Sequence, residues 1–491
     1  MKNAKHIEQY NDTIARLYPE LHPAPENQEE LNKLKKIAHG KDRHLTREVT
    51  FQVTDRCSLA CTYCYQINKG KRRMSFDVAK RFVDLLLSGD KGFKDYVNIE
   101  FSPAIVLDFI GGEPFLEVDL IDQVCDYFMD RAIELHHPWA KNFMISICSN
   151  GVAYFEPKVQ AFLEKWRSRL SFSITIDGDK ELHDKCRVFP DGSPSYDIAI
   201  AGAKDWMNKG YYMGSKITIA PANVTYVGRA LKHMIELGYD DINCNCVYEE
   251  GWNVELSQEI FRQLKDAIDY LYDNKIEDDI YISMLSMEHM GPKKPDDLQT
   301  HCGGLGADML AVDPDGWLYP CLRYMESSVG TDVPAVRIGN VYEGICQQEK
   351  YQKIICDMCA ITRRTYNTDE CFYCPIGDGC GDCAAYNYQS SGSFNHRATF
   401  ICETHKARVL ATAYYWGRYY QLHEPNKKFI VYMPEDWIKA LISEDDYNLM
   451  KSIPNIEWKY TTWEQIKEMC DNNTLDEFIG DDIHKLYCRN C

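Results

Sequence analysis

The sequence predicts an α/β fold: a parallel, right-handed wound sheet forming a partial barrel, then a cysteine-rich region and a small α+β C-terminal region. Six strand-like runs alternate with amphipathic helix-like stretches between residues 46 and 250. Because consecutive units favour right-handed crossovers, a parallel sheet is the expected arrangement. The 491 residues, 45% of them hydrophobic, can bury a large core without disulfides. The 21 cysteines are therefore expected to be mostly metal ligands.

Four regions are expected along the chain. Residues 1–45 form a polar helical extension, 46–290 the partial barrel, 291–406 the cysteine-rich domain and 407–491 the C-terminal region. The strand-like runs of the barrel are 48–53, 104–110, 142–148, 170–176, 214–220 and 241–247. Amphipathic stretches such as 75–87, 118–135 and 227–237 fall between them.

Charge and hydropathy exclude two classes of partner. A formal net charge of -19 argues against nucleic acid, because phosphate neutralisation needs clustered Lys and Arg. The first residues lack the apolar stretch of a signal peptide, and no long uncharged apolar run is present. We therefore expect a cytoplasmic protein that does not associate with a membrane.

The first strand leads into a loop with three closely spaced cysteines, Cys57, Cys61 and Cys64. Three thiolates on a four-iron cubane leave one iron without a protein ligand, so that iron can be chelated by a small molecule. The loop follows a strand, and active sites of parallel α/β folds lie at that end of the sheet.

The second strand ends in Gly111-Gly112-Glu113-Pro114. The two glycines let the backbone approach a ligand closely, and a carboxylate accepts hydrogen bonds from an ammonium group. With the cysteine loop, this run resembles the radical S-adenosylmethionine (SAM) enzymes. The resemblance implies a SAM-binding 4Fe-4S cluster on the three cysteines and a Gly-Gly-Glu-Pro segment that holds the SAM amino group.

The same resemblance implies further SAM contacts. Tyr63 would lie against adenine, and Asn150 belongs to a turn after the third strand. The run from Thr175 to Arg187 resembles the peptide-modifying branch, in which the arginine meets the SAM carboxylate as a bidentate pair. His183 in this run is interpreted as a structural residue rather than an acid or base. No catalytic residue is assigned.

The cysteines after residue 290 resemble the SPASM domain, which holds two auxiliary 4Fe-4S clusters. By that resemblance an outer cluster is held by Cys371, Cys374, Cys380 and Cys402, and an inner cluster by Cys302, Cys321 and Cys383. Two residues separate Cys380 from Cys383, whereas the family usually has three. The fourth ligand of the inner cluster stays open: His301, Cys346, Cys356 or Cys359 could supply it, or a substrate thiolate could bind there.

Two activities within this branch are distinguished by one position. Anaerobic sulfatase-maturing enzymes carry an aspartate base directly after the cysteine of Gly-x4-Cys, and Leu322 stands there in this chain. A maturase of ribosomally made peptides is therefore preferred, forming a thioether or carbon-carbon crosslink. Its partners would be a precursor peptide and a reductant such as flavodoxin or ferredoxin. The alternatives are the sulfatase-maturing enzyme and a non-enzymatic iron-sulfur electron carrier.

The C-terminal region has no assigned chemistry. The segment before Cys57 lacks the three-strand pattern of a leader-binding winged-helix module, so no such module is expected at that end. Strand-like runs at 428–433 and 456–460 could bind a leader peptide, or the region could cap the preceding domain. Two Cys-x2-Cys pairs, Cys356 with Cys359 and Cys488 with Cys491, are hypothesised to share one zinc or iron-sulfur site. Completion of the inner cluster by the first pair and a redox relay at the second remain alternatives.

Overall fold

The computed structural model describes residues 46–97, 99, 102–286, 290–298, 300, 302–305 and 309–480. The extension before residue 46, His301, Cys488 and Cys491 lie outside these residues. No helix in the described ranges is both long and apolar enough to cross a bilayer.

The barrel strands form two sheets that a single bridge connects. Their bounds are β1 Thr46–Thr54, β2 Ala104–Gly111, β3 Phe143–Ser149, β4 Leu170–Ile174, β5 Ser215–Ile219, β6 Asp241–Cys246 and β7 Tyr281–Ile282. Neighbouring strands from β1 to β4 and from β5 to β7 pair in parallel. Between β4 and β5 only the isolated parallel bridge Ser173–Gly214 is formed. The predicted α/β fold with an open, partial barrel is confirmed.

The crossover helices cover the outer face of these sheets. They are α1 Phe76–Ser88, α2 Phe93–Tyr96, α3 Val118–Glu134, α4 Pro157–Trp166, α5 Lys180–Cys186, α6 Tyr196–Asn208, α7 Val227–Glu236 and α8 Val254–Asp273. Helix α1 shows why they form: Ser75 caps its first turn by accepting from the Val78 N–H, and Gly89 ends it in the left-handed region with φ 72°. Its buried side packs on β1, where Phe51 contacts Phe82 edge to face.

The opposite, luminal face of the sheet is polar. Thr50, Asp108 and Ser146 are register partners on β1, β2 and β3. Thr50 Oγ1 donates to Asp108 Oδ2 at 3.2 Å. Glu48 lies on the same face of β1, where burial and then the Asp108 charge raise the pKa of its carboxyl to about 7. A barrel lined in this way can admit a polar substrate to the strand ends.

The cysteine-rich region continues the barrel sheet at its other edge. Its strands are β8 Met309–Val312, β9 Trp317–Tyr319, β10 Gly339–Asn340 and β11 Gly344–Ile345. Strand β8 pairs in parallel with β1, and β9 to β11 follow as antiparallel neighbours. The helices are α9 Glu349–Cys359, α10 Arg363–Tyr366, α11 Asp369–Phe372, α12 Ala384–Ser391 and α13 Cys402–His423.

The C-terminal region forms a small α+β unit against α8 and α13. Its elements are β12 Phe429–Val431, α14 Glu435–Leu441, α15 Glu444–Ser452, β13 Ile456–Trp458, α16 Trp463–Asp471 and α17 Leu475–Ile479. Strands β12 and β13 pair in parallel. Helix α13 spans the expected boundary at residue 406 without a break and packs on both α8 and β12. Trp416 in α13 donates to the Leu285 carbonyl at 2.9 Å, which fixes the helix to the barrel.

Candidate active site

The three-cysteine loop lies at the carboxyl end of β1, where the sequence predicts it. Backbone hydrogen bonds from Ala60 to the Val188 carbonyl (2.7 Å) and from Thr62 to the Cys186 carbonyl (2.9 Å) hold the loop. Burial raises the pKa of the Cys61 thiol, and the Arg187 charge opposes that shift. Cys57, Cys61 and Cys64 are free thiols and partly exposed, so they can serve as ligands.

The Gly111-Gly112 segment packs directly against this loop. Gly112 N–H donates to the Thr54 carbonyl at 3.0 Å. A Cβ on Gly112 would stand 2.3 Å from the Arg56 oxygen and 2.7 Å from Cys57 Cβ. Only glycine fits this close approach of two backbones.

Glu113 is fully buried and held by three donors. Its Oε1 accepts from Ser149 Oγ at 2.8 Å and from the Phe115 N–H at 3.1 Å, and its Oε2 accepts from the Asn150 N–H at 2.8 Å. Burial raises the pKa of the carboxyl, whereas these hydrogen bonds lower it. A carboxylate has about four acceptor positions, so one remains for a ligand ammonium.

Asn150 joins the third strand end to the cysteine loop. Its Nδ2 donates to Ser58 Oγ at 2.9 Å, and its Oδ1 accepts from the Val152 N–H at 3.0 Å. The Thr175 N–H donates to the Ser149 carbonyl at 2.9 Å, which brings the fourth strand end to the same place. Asn150 and Thr175 therefore lie beside the loop, although their assignment as SAM contacts stays a prediction.

Arg187 reaches the site from the end of α5. Its Nη1 donates to the Tyr63 hydroxyl at 2.9 Å, and Tyr63 in turn donates to the fully buried Asp177. Arg187 Nε is buried and has no hydrogen-bond partner among the described residues. Sequence reasoning singled out Tyr63 and Arg187 but missed Asp177, although its place directly after Thr175-Ile176 at a strand end was a signal.

His183 is a buried structural residue beneath Arg187. Ser195 Oγ donates to the Arg187 carbonyl at 2.6 Å, so His183 Nε2 donates to Ser195 at 3.1 Å. Its Nδ1 accepts weakly from the Asp177 N–H at 3.4 Å. Burial lowers the pKa of His183 to about 3, so the neutral ring is maintained at neutral pH.

These features fit a bound SAM on a three-cysteine cluster. The unpartnered Arg187 Nε is a buried donor that a carboxylate would satisfy. The close approach at Gly112 holds Glu113 beside the cysteine loop, and Glu113 keeps one acceptor position. The donor set of three cysteines is that of a cubane with one open iron.

The inner cysteine set is brought together from three elements. Gly304, two residues after Cys302, lies where a Cβ would contact the sulfurs of Cys302 and Cys321, each at 3.4 Å. Burial and then the charge of Cys383 raise the pKa of Cys302 to about 11. The three predicted inner ligands are therefore neighbours in space.

The outer set gathers around α11 and the start of α13. Burial is the main cause of the raised pKa of the Cys374 thiol, and the charges of Cys380, Cys402 and Cys371 add to the shift. The four predicted outer ligands lie close enough to one another to act electrostatically, and Cys402 is exposed to solvent.

A third group of cysteines surrounds α9. Cys356 and Cys359 lie one turn apart and are both exposed. Burial raises the pKa of Cys346 to about 11, with further contributions from Cys356 and Cys359. Among the described residues, no three His, Cys, Asp or Glu side chains meet the geometry of a single metal ion, in this group or in the others.

Arg323 connects the inner set to the first loop, and the sequence did not reveal it. It follows Cys321 by two residues, and its Nη2 pairs with Glu249 Oε1 at 2.7 Å. Its guanidinium lies 5.3 Å from the ring centroid of Tyr65, the residue after Cys64. The Arg323 charge also opposes the burial that raises the pKa of Cys383. No local pattern could indicate these long-range contacts.

Sequence comparison finds distant relatives, whereas no protein-family model matches the chain. An uncharacterised protein of Methanocaldococcus jannaschii is 26% identical over 278 residues, which cover 56% of this chain and 84% of that protein. The serine-type anaerobic sulfatase-maturating enzyme of Bacteroides thetaiotaomicron is 25% identical over 179 residues, 35% of this chain. That match spans only 38% of the enzyme's length.

Structure comparison finds two enzymes over most of the chain. The anaerobic sulfatase-maturating enzyme anSMEcpe with bound AdoMet superposes with a TM-score of 0.56 at 15% identity, covering 82% of this chain and 99% of that one. Streptococcus suis SuiB bound to its precursor peptide SuiA superposes with a TM-score of 0.51 at 13% identity, covering 81% and 89%. The chain has the fold of radical SAM enzymes that carry a SPASM domain.

Proposed function

We propose that this chain is a radical SAM peptide maturase. It reductively cleaves SAM, abstracts a hydrogen atom from a ribosomally made peptide and forms a thioether or carbon-carbon crosslink. The observation that carries the proposal is Arg187: its buried Nε has no hydrogen-bond partner among the described residues, its Nη1 donates to Tyr63 of the three-cysteine loop, and its charge acts on both Cys61 and Glu113. An electron carrier needs no such ligand pocket, because its clusters are fully ligated by protein.

In this proposal, different residues of the site bind different parts of the SAM molecule. Arg187 would take its carboxylate, Glu113 and the Gly111 to Pro114 backbone its ammonium, and Cys57, Cys61 and Cys64 the 4Fe-4S cluster. Tyr63 would lie against adenine while its hydroxyl stays on Asp177, which orients the ring. When bound and reduced, the cluster supplies the electron that cleaves SAM.

The inner cysteine set supports a substrate with a sulfur atom. Cys302, Cys321 and Cys383 leave one position of a four-iron cluster to a fourth ligand or to a substrate thiolate. The positive charge of Arg323 beside this set would favour a thiolate over a thiol. The Arg323 contacts with Tyr65 and Glu249 would keep the two cluster sites in a fixed relation.

A peptide substrate is supported by the comparisons. SuiB was solved with its precursor peptide SuiA, and anSMEcpe with the Kp18Cys peptide. We extend this to a precursor peptide for the present chain, and to flavodoxin or ferredoxin as the reductant in the cytoplasm.

Formylglycine formation is the second candidate, and one observation favours it. Leu322 cannot act as a base, and the Asp313 carboxylate is occupied by the Trp317 N–H at 2.9 Å and the Tyr319 hydroxyl at 3.1 Å. Glu249, however, places a partly exposed carboxylate beside the inner set and could replace the missing aspartate.

The test is anaerobic turnover of SAM by the reconstituted protein. Replacing Cys57, Cys61 and Cys64 with Ala should abolish 5'-deoxyadenosine and remove about one third of the iron, since three four-iron clusters hold about 12 atoms. Cys470→Ser, which removes a thiol on α16 that belongs to none of these sets, is the control and should retain both. Unabated 5'-deoxyadenosine formation by the triple variant would refute the proposal.

The two candidate reactions differ in their products. A crosslink consumes a substrate thiol or links two carbons and leaves no carbonyl, whereas formylglycine carries an aldehyde that reacts with a hydrazide probe. Mass spectrometry of the neighbouring gene's peptide product after thiol alkylation and hydrazide treatment separates them. A hydrazone would exclude the crosslinking reaction.

A further inference from the structure

Arg397 makes a direct contact with a predicted cluster ligand. It lies in the segment between α12 and α13, and its Nη2 is 3.0 Å from Cys380 Sγ. The same nitrogen donates to the carbonyl oxygens of Cys380 (3.2 Å) and Gly381 (3.3 Å). Nη1 donates to Asn367 Oδ1 at 3.3 Å, which anchors the guanidinium from the other side.

Arg397 forms no direct ion pair with a described carboxylate, although the charge of nearby Asp382 acts on it through space. No Asp or Glu oxygen in the described ranges lies within ion-pair distance of its guanidinium. The neighbouring Asp382 carboxylate binds the Tyr366 hydroxyl at 3.2 Å and Asn387 Nδ2 at 2.9 Å instead. Arg323, at the inner set, is by contrast paired with Glu249.

We propose that Arg397 is a positioning residue for the outer cluster that raises its reduction potential. The proposal rests on the proposed function, because it takes Cys371, Cys374, Cys380 and Cys402 as the ligands of a 4Fe-4S cluster. Net charge and hydrogen bonds to the sulfurs are among the factors that set cluster potentials. Reduction adds one electron to the cluster, and a fixed positive charge hydrogen-bonded to a ligand sulfur stabilises that added charge.

This arrangement distinguishes the two auxiliary sites. The outer set has an arginine donor on a sulfur with no paired carboxylate, whereas the inner set has an arginine whose charge is shared with Glu249. The outer cluster should therefore hold an electron more favourably than the inner one. It also includes the solvent-exposed Cys402, so an electron passing outward from the inner cluster would move downhill toward the surface.

The experiment is a redox titration of the full-length reconstituted protein followed by electron paramagnetic resonance. Arg397→Gln should shift the midpoint of one auxiliary signal to lower potential and leave the other in place. Arg397→Lys should fall between the parent and Arg397→Gln, because an ammonium keeps the charge but lacks the planar fork. The signal of the SAM-binding cluster is recognised by its change on addition of SAM.

Arg364→Gln is the matched control. Arg364 lies near the same cysteine segment, with its guanidinium 4.8 Å from the Phe372 ring centroid, but it pairs with Asp369 at 2.8 Å. Its removal should leave both auxiliary midpoints unchanged.

Three results would overturn the inference. Equal midpoints in Arg397→Gln and the parent would show that the contact does not set the potential. An equal shift in Arg364→Gln would show a nonspecific effect. Loss of the outer signal from both Arg397 variants, with the other clusters intact, would assign Arg397 to cluster retention instead. If the parent itself holds no auxiliary cluster, the ligand assignment of the proposed function fails.

Discussion

Arg187 is the residue on which SAM binding is expected to depend most. Arg187→Ala removes a charge-assisted contact of about 1.5–3 kcal/mol, so SAM affinity should fall about ten- to a hundredfold. Arg187→Lys should also fail, because a point charge cannot reach Tyr63 and the ligand carboxylate together. Equilibrium binding of SAM to the anaerobically reconstituted protein measures both.

Lys185→Ala is the control for this experiment. Lys185 is on the same helix, α5, but it is exposed, donates to the Ala222 carbonyl at 3.4 Å and lies over the Tyr226 ring. An unchanged SAM affinity in Arg187→Ala would show that Arg187 does not bind the SAM carboxylate.

Glu48 should make the stability of the fold depend on pH. Its pKa is raised from 4.5 to about 7, chiefly by burial, so the native state binds more protons than the unfolded state between these values. The free energy of unfolding should therefore fall by about 1–3 kcal/mol as the pH rises from about 4.5 to about 7 and the buried Glu48 carboxyl loses its proton. Glu48→Gln should remove that loss.

Chemical denaturation at pH 5 and pH 7.5 tests this effect. The stability of Glu48→Gln relative to the parent should increase between these two pH values. Glu134→Gln, an exposed glutamate paired with Arg131 on α3, should show no such trend. A constant difference between Glu48→Gln and the parent would contradict the raised pKa.

At the residue scale, the sequence singled out side chains that stand in short local motifs resembling those of a known family, and their roles stay predictions. The three cysteines of the first loop, Glu113 and Arg187 belong to such runs. Asp177, Glu249, Arg323 and Arg397 were missed as partners, because each acts through contacts with residues distant in sequence. The Tyr63 to Asp177 bond, for example, joins residues 114 positions apart.

At the element scale, the close contact between the second strand end and the cysteine loop makes Gly112 sensitive to substitution. Gly112→Ala places a methyl group 2.3 Å from the Arg56 oxygen, so the loop must move. Overpacking of this kind costs about 1–3 kcal/mol and should also reduce retention of the SAM-binding cluster. Iron content and the free energy of unfolding of the reconstituted protein measure the two effects.

Gly214→Ala provides the comparison. A Cβ at Gly214 would meet nothing nearer than the Tyr212 hydroxyl at 3.5 Å, which is an ordinary contact. If both variants retained iron equally, the Gly111-Gly112 segment would not constrain the cysteine loop.

Strand and helix bounds were largely predictable, whereas the joining of sheets was not. The alternating pattern at 48–53 identified β1, which extends from Thr46 to Thr54. The run 170–176 ends earlier than expected, at Ile174, because the following residues turn toward the site. The parallel pairing of β8 with β1 joins segments about 260 residues apart, and no periodicity in either strand specifies it.

At the scale of the whole molecule, one continuous sheet connects the predicted SAM-binding loop with the inner cysteine set. The predicted SAM-binding loop follows the carboxyl end of strand β1. Strand β8, which pairs with β1, continues through β9 to Cys321. Sheet pairing therefore fixes the position of the inner set relative to the first loop. The Arg323 side chain, which pairs with Glu249 and lies against the Tyr65 ring, adds a second connection between the inner set and the first loop.

The cysteines around α9 provide the last prediction, which concerns how the chain uses thiols outside the three proposed clusters. The charges of Cys356 and Cys359 act on Cys346, and Cys356 and Cys359 are exposed on one helix turn. Cys346 is therefore a third thiol beside Cys356 and Cys359, the pair that is hypothesised to share a metal site with Cys488 and Cys491. Cys356→Ser with Cys359→Ser should lower the metal content by about one zinc or about four iron atoms per chain.

Truncation after Tyr487 distinguishes the ways in which this site could be completed. If the terminal pair supplies ligands, truncation should remove the same metal as the double variant, measured by inductively coupled plasma mass spectrometry. If Cys346 suffices, truncation should leave the metal in place, and if Cys356 or Cys359 ligates the inner cluster, the double variant should alter an auxiliary resonance signal. Cys470→Ser, on α16, serves as the control thiol. Zinc and iron contents that stay constant in the double variant would rule out a metal site at α9, because two of its three thiolates would then be dispensable.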